Sequence, residues 1–206
     1  MPQSRRYKKK KSAGKAILVW IIVLAILAAA VFVFVSVFYE DAKKKLDEMN
    51  YPRTYSTYVE KAAKDYDLDP ALIYAVIHTE SGFDPKAESG VGAKGVMQMM
   101  PSSFEWLQEQ RGCAGQYTEN DLFDPEICID YGSYLLKYFY DYYGTERSAI
   151  AAYNAGFVVS DWLNDANYSS DGKNLDSIPY PETKNYVDKV ESAKEMYIKL
   201  YYSQSN

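Results

Sequence analysis

Glu80 is the side chain best placed to do chemistry. A helix is expected over 70–80, because Asp69 offers an N-cap, Pro70 fits the first helical position and Gly82 stops the run. With Leu72 at zero and 100° per residue, Val76 falls at about 40°, Ile73 at about 100° and Ile77 at about 140°. Glu80 falls at about 80°, in the middle of that apolar stripe. A carboxyl desolvated there, at the negative end of a helix dipole, is expected to hold its proton near neutral pH, as a general acid must. The competing expectation is a fraying helix end whose glutamate turns to solvent. His78 falls at about 240°, on the opposite face, and reads as a surface histidine. As the only histidine it is the only candidate base for a serine or cysteine nucleophile, and neither Cys113 nor Cys128 is near it in sequence. One histidine and two cysteines would force a four-ligand zinc site to recruit carboxylates, so neither a metal nor a cofactor is expected.

The elements that must position this acid are mostly helical. Asp124-Pro125 starts a helix that runs to Gly144, with Ile127, Tyr131, Tyr134, Leu135, Tyr138 and Tyr142 at helical spacing. Another is expected from Glu146 to Ala155, closed by Gly156, and a last one over about 182–202. Loops 81–95 and 156–181 carry glycines and are long enough to line a cleft. No stretch alternates for long and no repeat occurs, so any sheet is small.

The chain has 206 residues, 48% hydrophobic and 25% charged, and it is partitioned sharply. Residues 16–38 are apolar apart from Ser36, and 23 helical residues span roughly 34 Å, enough to cross a bilayer. This run exceeds the h-region of about 7–15 residues of a cleaved signal peptide, and cleavage after Ala28 or Ala30 would fall inside it, so an uncleaved anchor is expected. Both cysteines lie far from the amino terminus, which argues against a lipoprotein anchor. Seven Lys/Arg precede the span; Lys43, Lys44 and Lys45 follow it, behind Glu40 and Asp41. That bias predicts a cytoplasmic amino terminus and an extracytoplasmic domain. Setting the seven aside takes the net charge from −5 to −12, which argues against nucleic acid as a partner. The expected organisation is a basic cytoplasmic tail at 1–15, a transmembrane helix at 16–38, a stalk at 39–54 and one folded domain at 55–203.

Four blocks then become recognisable. They are Glu80-Ser81-Gly82-Phe83-Asp84-Pro85-Lys86-Ala87-Glu88-Ser89, Gly92-Ala93-Lys94-Gly95-Val96-Met97-Gln98-Met99-Met100-Pro101, Ala152-Tyr153-Asn154-Ala155-Gly156, and Ile178-Pro179-Tyr180-Pro181-Glu182-Thr183 with Tyr186-Val187. In this order they resemble the catalytic domain of the soluble lytic murein transglycosylase family, related to goose-type lysozyme, over roughly 55–202. The resemblance implies a mainly α, lysozyme-like α+β fold with a minimal sheet, acting on the β-1,4 bond between N-acetylmuramic acid and N-acetylglucosamine of peptidoglycan strands. It implies Glu80 as the catalytic acid and base. It further implies Ser89, Gln98, Met100, Tyr153 and Asn154 as cleft residues, with Glu182 and Tyr186 closing the other side. Partners implied are the cell wall and its remodelling, secretion or division machinery. Ser89 and Asn154 also suit turns or caps, and Tyr153 and Met100 suit a core; Met97 and Met99 read as core. A lysozyme-type hydrolase would need a second carboxylate, for which Asp84 and Glu88 are candidates; a noncatalytic glycan-binding scaffold is the remaining alternative. Val96 and Met99 replace leucines common in the family, and Cys128 stands where asparagine is common. Cys113 and Cys128 are read as either one disulfide or two free thiols.

Overall fold

The computed structural model describes residues 6–203, so residues 1–5 of the expected basic tail lie outside the described residues. It is mainly helical, with no extended strand among the described residues. The chain divides into two compact units, Met1–Asn50 and Tyr51–Asn206.

The first unit is one helix, α1 (Arg6–Asn50). Its apolar side chains from Ile17 to Phe38 are exposed, as a lipid-facing surface requires. Ser36, the polar residue of the run, donates its hydroxyl to the Phe32 carbonyl at 2.8 Å and so leaves no unsatisfied group. Helix α1 is long and apolar enough to cross a membrane. It continues through the charged segment expected to be a stalk, where Lys45 pairs with Asp41 at 3.1 Å and Lys44 with Glu48 at 3.9 Å.

The second unit contains α2 (Ser56–Tyr66), α3 (Pro70–Ser81), α4 (Pro101–Gln110), α5 (Pro125–Tyr143), α6 (Glu146–Ala155), α7 (Val159–Leu163) and α8 (Pro181–Tyr197). Single 3-10 turns cover Glu119–Phe123 and Gly156–Val158, and α8 ends in a π-helical turn, Ile198–Tyr202. Helix α3 is central: every residue from Ala71 to Ile77 is buried, so it is apolar all round rather than along one stripe. Its start is fixed by Asp69, which accepts from the Ala71 amide at 2.9 Å, a cap worth about 1 kcal/mol. Gly82 ends it in the left-handed conformation, φ 59°.

Central burial of α3 corrects the expectation for His78. Helix α8 packs along α3, and His78 is half-buried against the rings of Tyr51, Phe83 and Tyr197, with centroids 4.8, 6.5 and 6.3 Å away. Burial lowers its pKa, so it is a neutral packing group. Lys194 of α8 ties the same helices together, 3.1 Å from Asp69 at the start of α3 and 2.8 Å from Glu146 at the start of α6. The segment after α1 belongs to this unit. Tyr201 donates to the Tyr51 carbonyl at 2.8 Å, Tyr197 donates to the Pro52 carbonyl at 3.1 Å, and Arg53 pairs with Glu60 at 2.7 Å.

Candidate active site

The last turn of α3 delivers Glu80 to a cluster built by three other segments. Its side of the helix meets Tyr186 on α8, Tyr153 on α6 and Cys128 on α5, each of whose ionisation is influenced by the Glu80 charge. Burial pushes the Glu80 carboxyl up from its ordinary 4.5 to about 7. The Tyr186 hydroxyl opposes this by interacting with the carboxylate. That hydroxyl is buried and has no partner at full hydrogen-bond geometry, so it is left facing the carboxyl. Burial raises both tyrosine pKa values well above the ordinary range, and both phenols stay neutral donors. The Tyr153 hydroxyl donates to the Met97 carbonyl at 2.9 Å.

The loop between α3 and α4 forms one wall. Lys94 and Met99 exchange both backbone hydrogen bonds, at 2.9 and 3.0 Å, and Glu88 bridges to Lys94; these isolated pairings are the minimal sheet. Ser81 fastens the helix end to this loop by donating to the Val96 carbonyl at 2.8 Å. The loop presses on α5 because two positions lack a side chain. A Cβ on Gly95 would stand 2.0 Å from the Leu122 carbonyl oxygen, and one on Gly132 would stand 2.5 Å from Met97 Sδ. Met97 and Met99 are fully buried core, as expected.

The sequence-derived residues occupy different stations. Glu80, Tyr153 and Tyr186 converge. Asn154 is exposed one residue on, and its Oδ1 accepts from the buried Thr183 hydroxyl at 2.8 Å, which joins the end of α6 to the start of α8 and leaves its amide donors free. Glu182 is exposed beside that junction. Gln98 sits at φ 47° and spends its amide group on the Ala87 and Gly95 carbonyls, both at 3.0 Å, so it braces the loop and keeps only its oxygen available. Ser89 closes a turn, accepting from the Ala93 amide at 3.0 Å. Met100 is 38% exposed at the start of α4, on the rim.

Asp84 is exposed and accepts from the Lys86 amide at 2.9 Å, and Glu88 pairs with Lys94 at 3.3 Å. Neither is among the groups that act on the Glu80 carboxyl. Cys113 and Cys128 are free thiols: Cys113 lies 3.3 Å from the Tyr131 hydroxyl, whereas Cys128 is buried and accepts from the Met97 amide at 3.4 Å. Among the described residues no cluster suits a metal ion.

Reasoning from sequence missed Thr183, the buried hydroxyl that fixes Asn154, and Lys94, whose buried amine pairs with Glu88 and with Glu119 at 3.5 Å. The Thr183 position follows a Pro-Glu helix start, a weak signal; nothing in the sequence distinguished Lys94 from a solvated lysine.

Comparison with known proteins places the chain in a family. Residues 57–175 match the family described as the Transglycosylase SLT domain. The chain is 33% identical over 146 residues to the soluble lytic murein transglycosylase of Escherichia coli strain K12, which covers 69% of this chain and 23% of that protein. It is 31% identical over 167 residues to the membrane-bound lytic murein transglycosylase C of Actinobacillus succinogenes, covering 70% of this chain and 47% of that one. The crystal structure of the 70 kDa soluble lytic transglycosylase from Escherichia coli superposes with a TM-score of 0.66 at 29% identity, over 77% of this chain and 26% of that one. The chain thus spans between about a quarter and a half of the length of these relatives. Its fold is the lysozyme-like fold of that crystal structure, and the chain belongs to the Transglycosylase SLT domain family.

Proposed function

We propose that this protein is a membrane-anchored lytic transglycosylase that cleaves the β-1,4 bond between N-acetylmuramic acid and N-acetylglucosamine without water. The observation that carries the reading is a largely desolvated carboxyl, pushed up to about 7, with no second carboxylate acting on it. Below that value Glu80 is protonated and donates to the glycosidic oxygen as the bond to C1 breaks. The 2-acetamido group of the same sugar stabilises the developing cation, a role that substrates fill where an enzyme lacks the second carboxylate. The Glu80 carboxylate then takes the proton of the muramic acid C6 hydroxyl as that oxygen bonds to C1. The product is a 1,6-anhydro sugar, and Glu80 ends protonated as it began.

The other groups are assigned by what they have left to offer. Asn154 presents amide donors and Gln98 an amide oxygen to acetamido and hydroxyl groups. Tyr153 and Tyr186 wall the carboxyl and exclude water from it. Ser89, Met100 and Glu182 line the cleft's edges. Helix α1 is the anchor, and seven basic residues before the span against three after it favour a cytoplasmic amino terminus, with the catalytic unit facing the wall. Wall remodelling alongside secretion or division machinery suits that placement.

Mass spectrometry of digested wall tests the reaction. Anhydro-muropeptides are expected, and reducing ends would assign a hydrolase instead. Glu80→Gln is expected to keep wall binding and abolish turnover; a Gln variant as active as the parent would remove Glu80 from the chemistry.

A further inference from the structure

An aromatic surface is formed by residues outside the candidate site. Tyr142, 58% exposed, and Phe157, 49% exposed, meet edge to face with centroids 5.8 Å apart. Tyr138 lies parallel to Tyr142, one helical turn back on α5, at 6.3 Å and 15°. Trp106 of α4 abuts Tyr138 edge-on at 5.0 Å and faces Phe157 at 6.5 Å. Phe157 is held there because Gly156, φ 73°, ends α6 and turns the chain back onto α5, where the Tyr143 hydroxyl donates to the Phe157 carbonyl at 3.5 Å. Two of these rings, Tyr138 and Tyr142, line with Tyr134 a depression of about 340 Å³ edged by the Lys137–Asp141 ion pair at 2.8 Å.

Two features specify what covers this surface. Its composition is rings with polar rims rather than aliphatic side chains: flat apolar faces for the C–H face of a pyranose, with phenol, amine and carboxylate groups at the edge for hydroxyl and acetamido groups. Its position in the chain is close to two residues of the candidate site. Phe157 follows Asn154 by three residues, at most about 11 Å of chain. Trp106 stands about 9 Å along α4 from the Met100 rim.

We propose that Trp106, Tyr138, Tyr142 and Phe157 form an accessory glycan platform, which holds saccharide units of the strand that extend beyond the cleft. The inference rests on the reading of the cleft as a peptidoglycan site and adds a second, separable contact with the same strand. Long strands therefore bind more tightly than short ones, and the difference resides in these rings.

The test uses the full chain in detergent carrying Glu80→Gln, with peptide-free glycan strands and a tetrasaccharide of the same repeat as probes. Adding Tyr142→Ala with Phe157→Ala is expected to raise Kd for the long strands about tenfold and to change Kd for the tetrasaccharide less than twofold. Tyr142→Trp, which keeps a ring, is expected to hold the long-strand Kd within twofold. An unchanged long-strand Kd in the double variant, or an equal loss on both probes, overturns the platform. So does a variant that keeps glycan affinity but loses binding to anionic lipid vesicles, which would make the surface a membrane contact. The two readings fail separately: wall digests without anhydro products remove the proposed reaction, whereas the long-strand Kd of the variant decides the platform.

Discussion

Replacing Glu80 by glutamine is expected to stabilise the protein, and by an amount that grows with pH. In the folded state the carboxyl titrates at about 7, against 4.5 for its ordinary value. The folded state therefore binds the proton more tightly than the unfolded one. Stability contributed by this proton is fully present below about pH 4.5 and is lost as pH rises through about 7. At about 1.4 kcal/mol for each tenfold change in proton affinity, the difference between 4.5 and about 7 is worth about 3 kcal/mol, of which about 2 is lost by pH 6. Glutamine cannot ionise, so it escapes this loss, and other titrating groups cancel between the two proteins. Urea unfolding of both full-length proteins in mild detergent, followed by near-ultraviolet circular dichroism, reads the difference. The stability advantage of Glu80→Gln should rise by about 3 kcal/mol between pH 4 and pH 8 while turnover disappears. A flat difference over that range would mean that the carboxyl is hydrated at its ordinary pKa, and the general-acid argument would fall with it.

Other outcomes follow from the same contacts. Because the proton donor is the neutral acid, kcat/KM is expected to fall about tenfold per pH unit above about pH 7; Tyr186→Phe removes the hydroxyl that holds the Glu80 pKa down, so the alkaline limb of that profile should move upward. Gly95→Ala places a methyl group 2.0 Å from the Leu122 carbonyl at φ +75° and should cost about 3 kcal/mol or more in thermal or urea unfolding. Asn154→Ala strands the buried Thr183 hydroxyl and should cost about 1–2 kcal/mol of stability, together with a higher KM for glycan; a variant with parental melting would show that Thr183 finds another acceptor.

Much of the fold is legible where backbone chemistry punctuates it. The Asp-Pro starts at Asp69 and Asp124 and the glycine stops at Gly82, Gly144 and Gly156 bound three helices to within a residue or so. Helix α2 was illegible for the same reason: its flanks, Tyr55 at φ 61° and Asp67 at φ 51°, are non-glycine residues in the left-handed region, with no side-chain cap at its start. Helix α4 follows Met100, which also gives no capping side chain, and α7 is a single turn inside a loop, held by the burial of Val159, Trp162 and Leu163. At the site, periodicity singles out Glu80 but not its setting. The stripe argument supposes one buried face, whereas α3 is buried on every side from Ala71 to Ile77, which is why His78 next to that stretch is half-buried. Which polar atoms remain free is a tertiary property: the spacing of Gln98 gives no sign that its amide group is committed to two backbone carbonyls.

The arrangement of carboxylates carries a consequence for specificity. Asp84 is turned into its own loop and Glu88 is held by Lys94, so on the proposed reading no fixed anion stands across the scissile bond from Glu80. Positive charge arising at C1 must then be met by the substrate, and the nucleophile must come from the substrate as well. Both groups, an acetamido at C2 and a free hydroxyl at C6, have to sit on the same sugar as the breaking bond. On the same reading the protein supplies one proton, taken back at the end, and a wall of two neutral phenols around it. Selectivity among glycans accordingly resides in chemistry more than in binding. A strand with the same shape but lacking the acetamido group would occupy the cleft and the aromatic surface and remain uncut, because donation of the Glu80 proton would leave a cation with nothing to stabilise it.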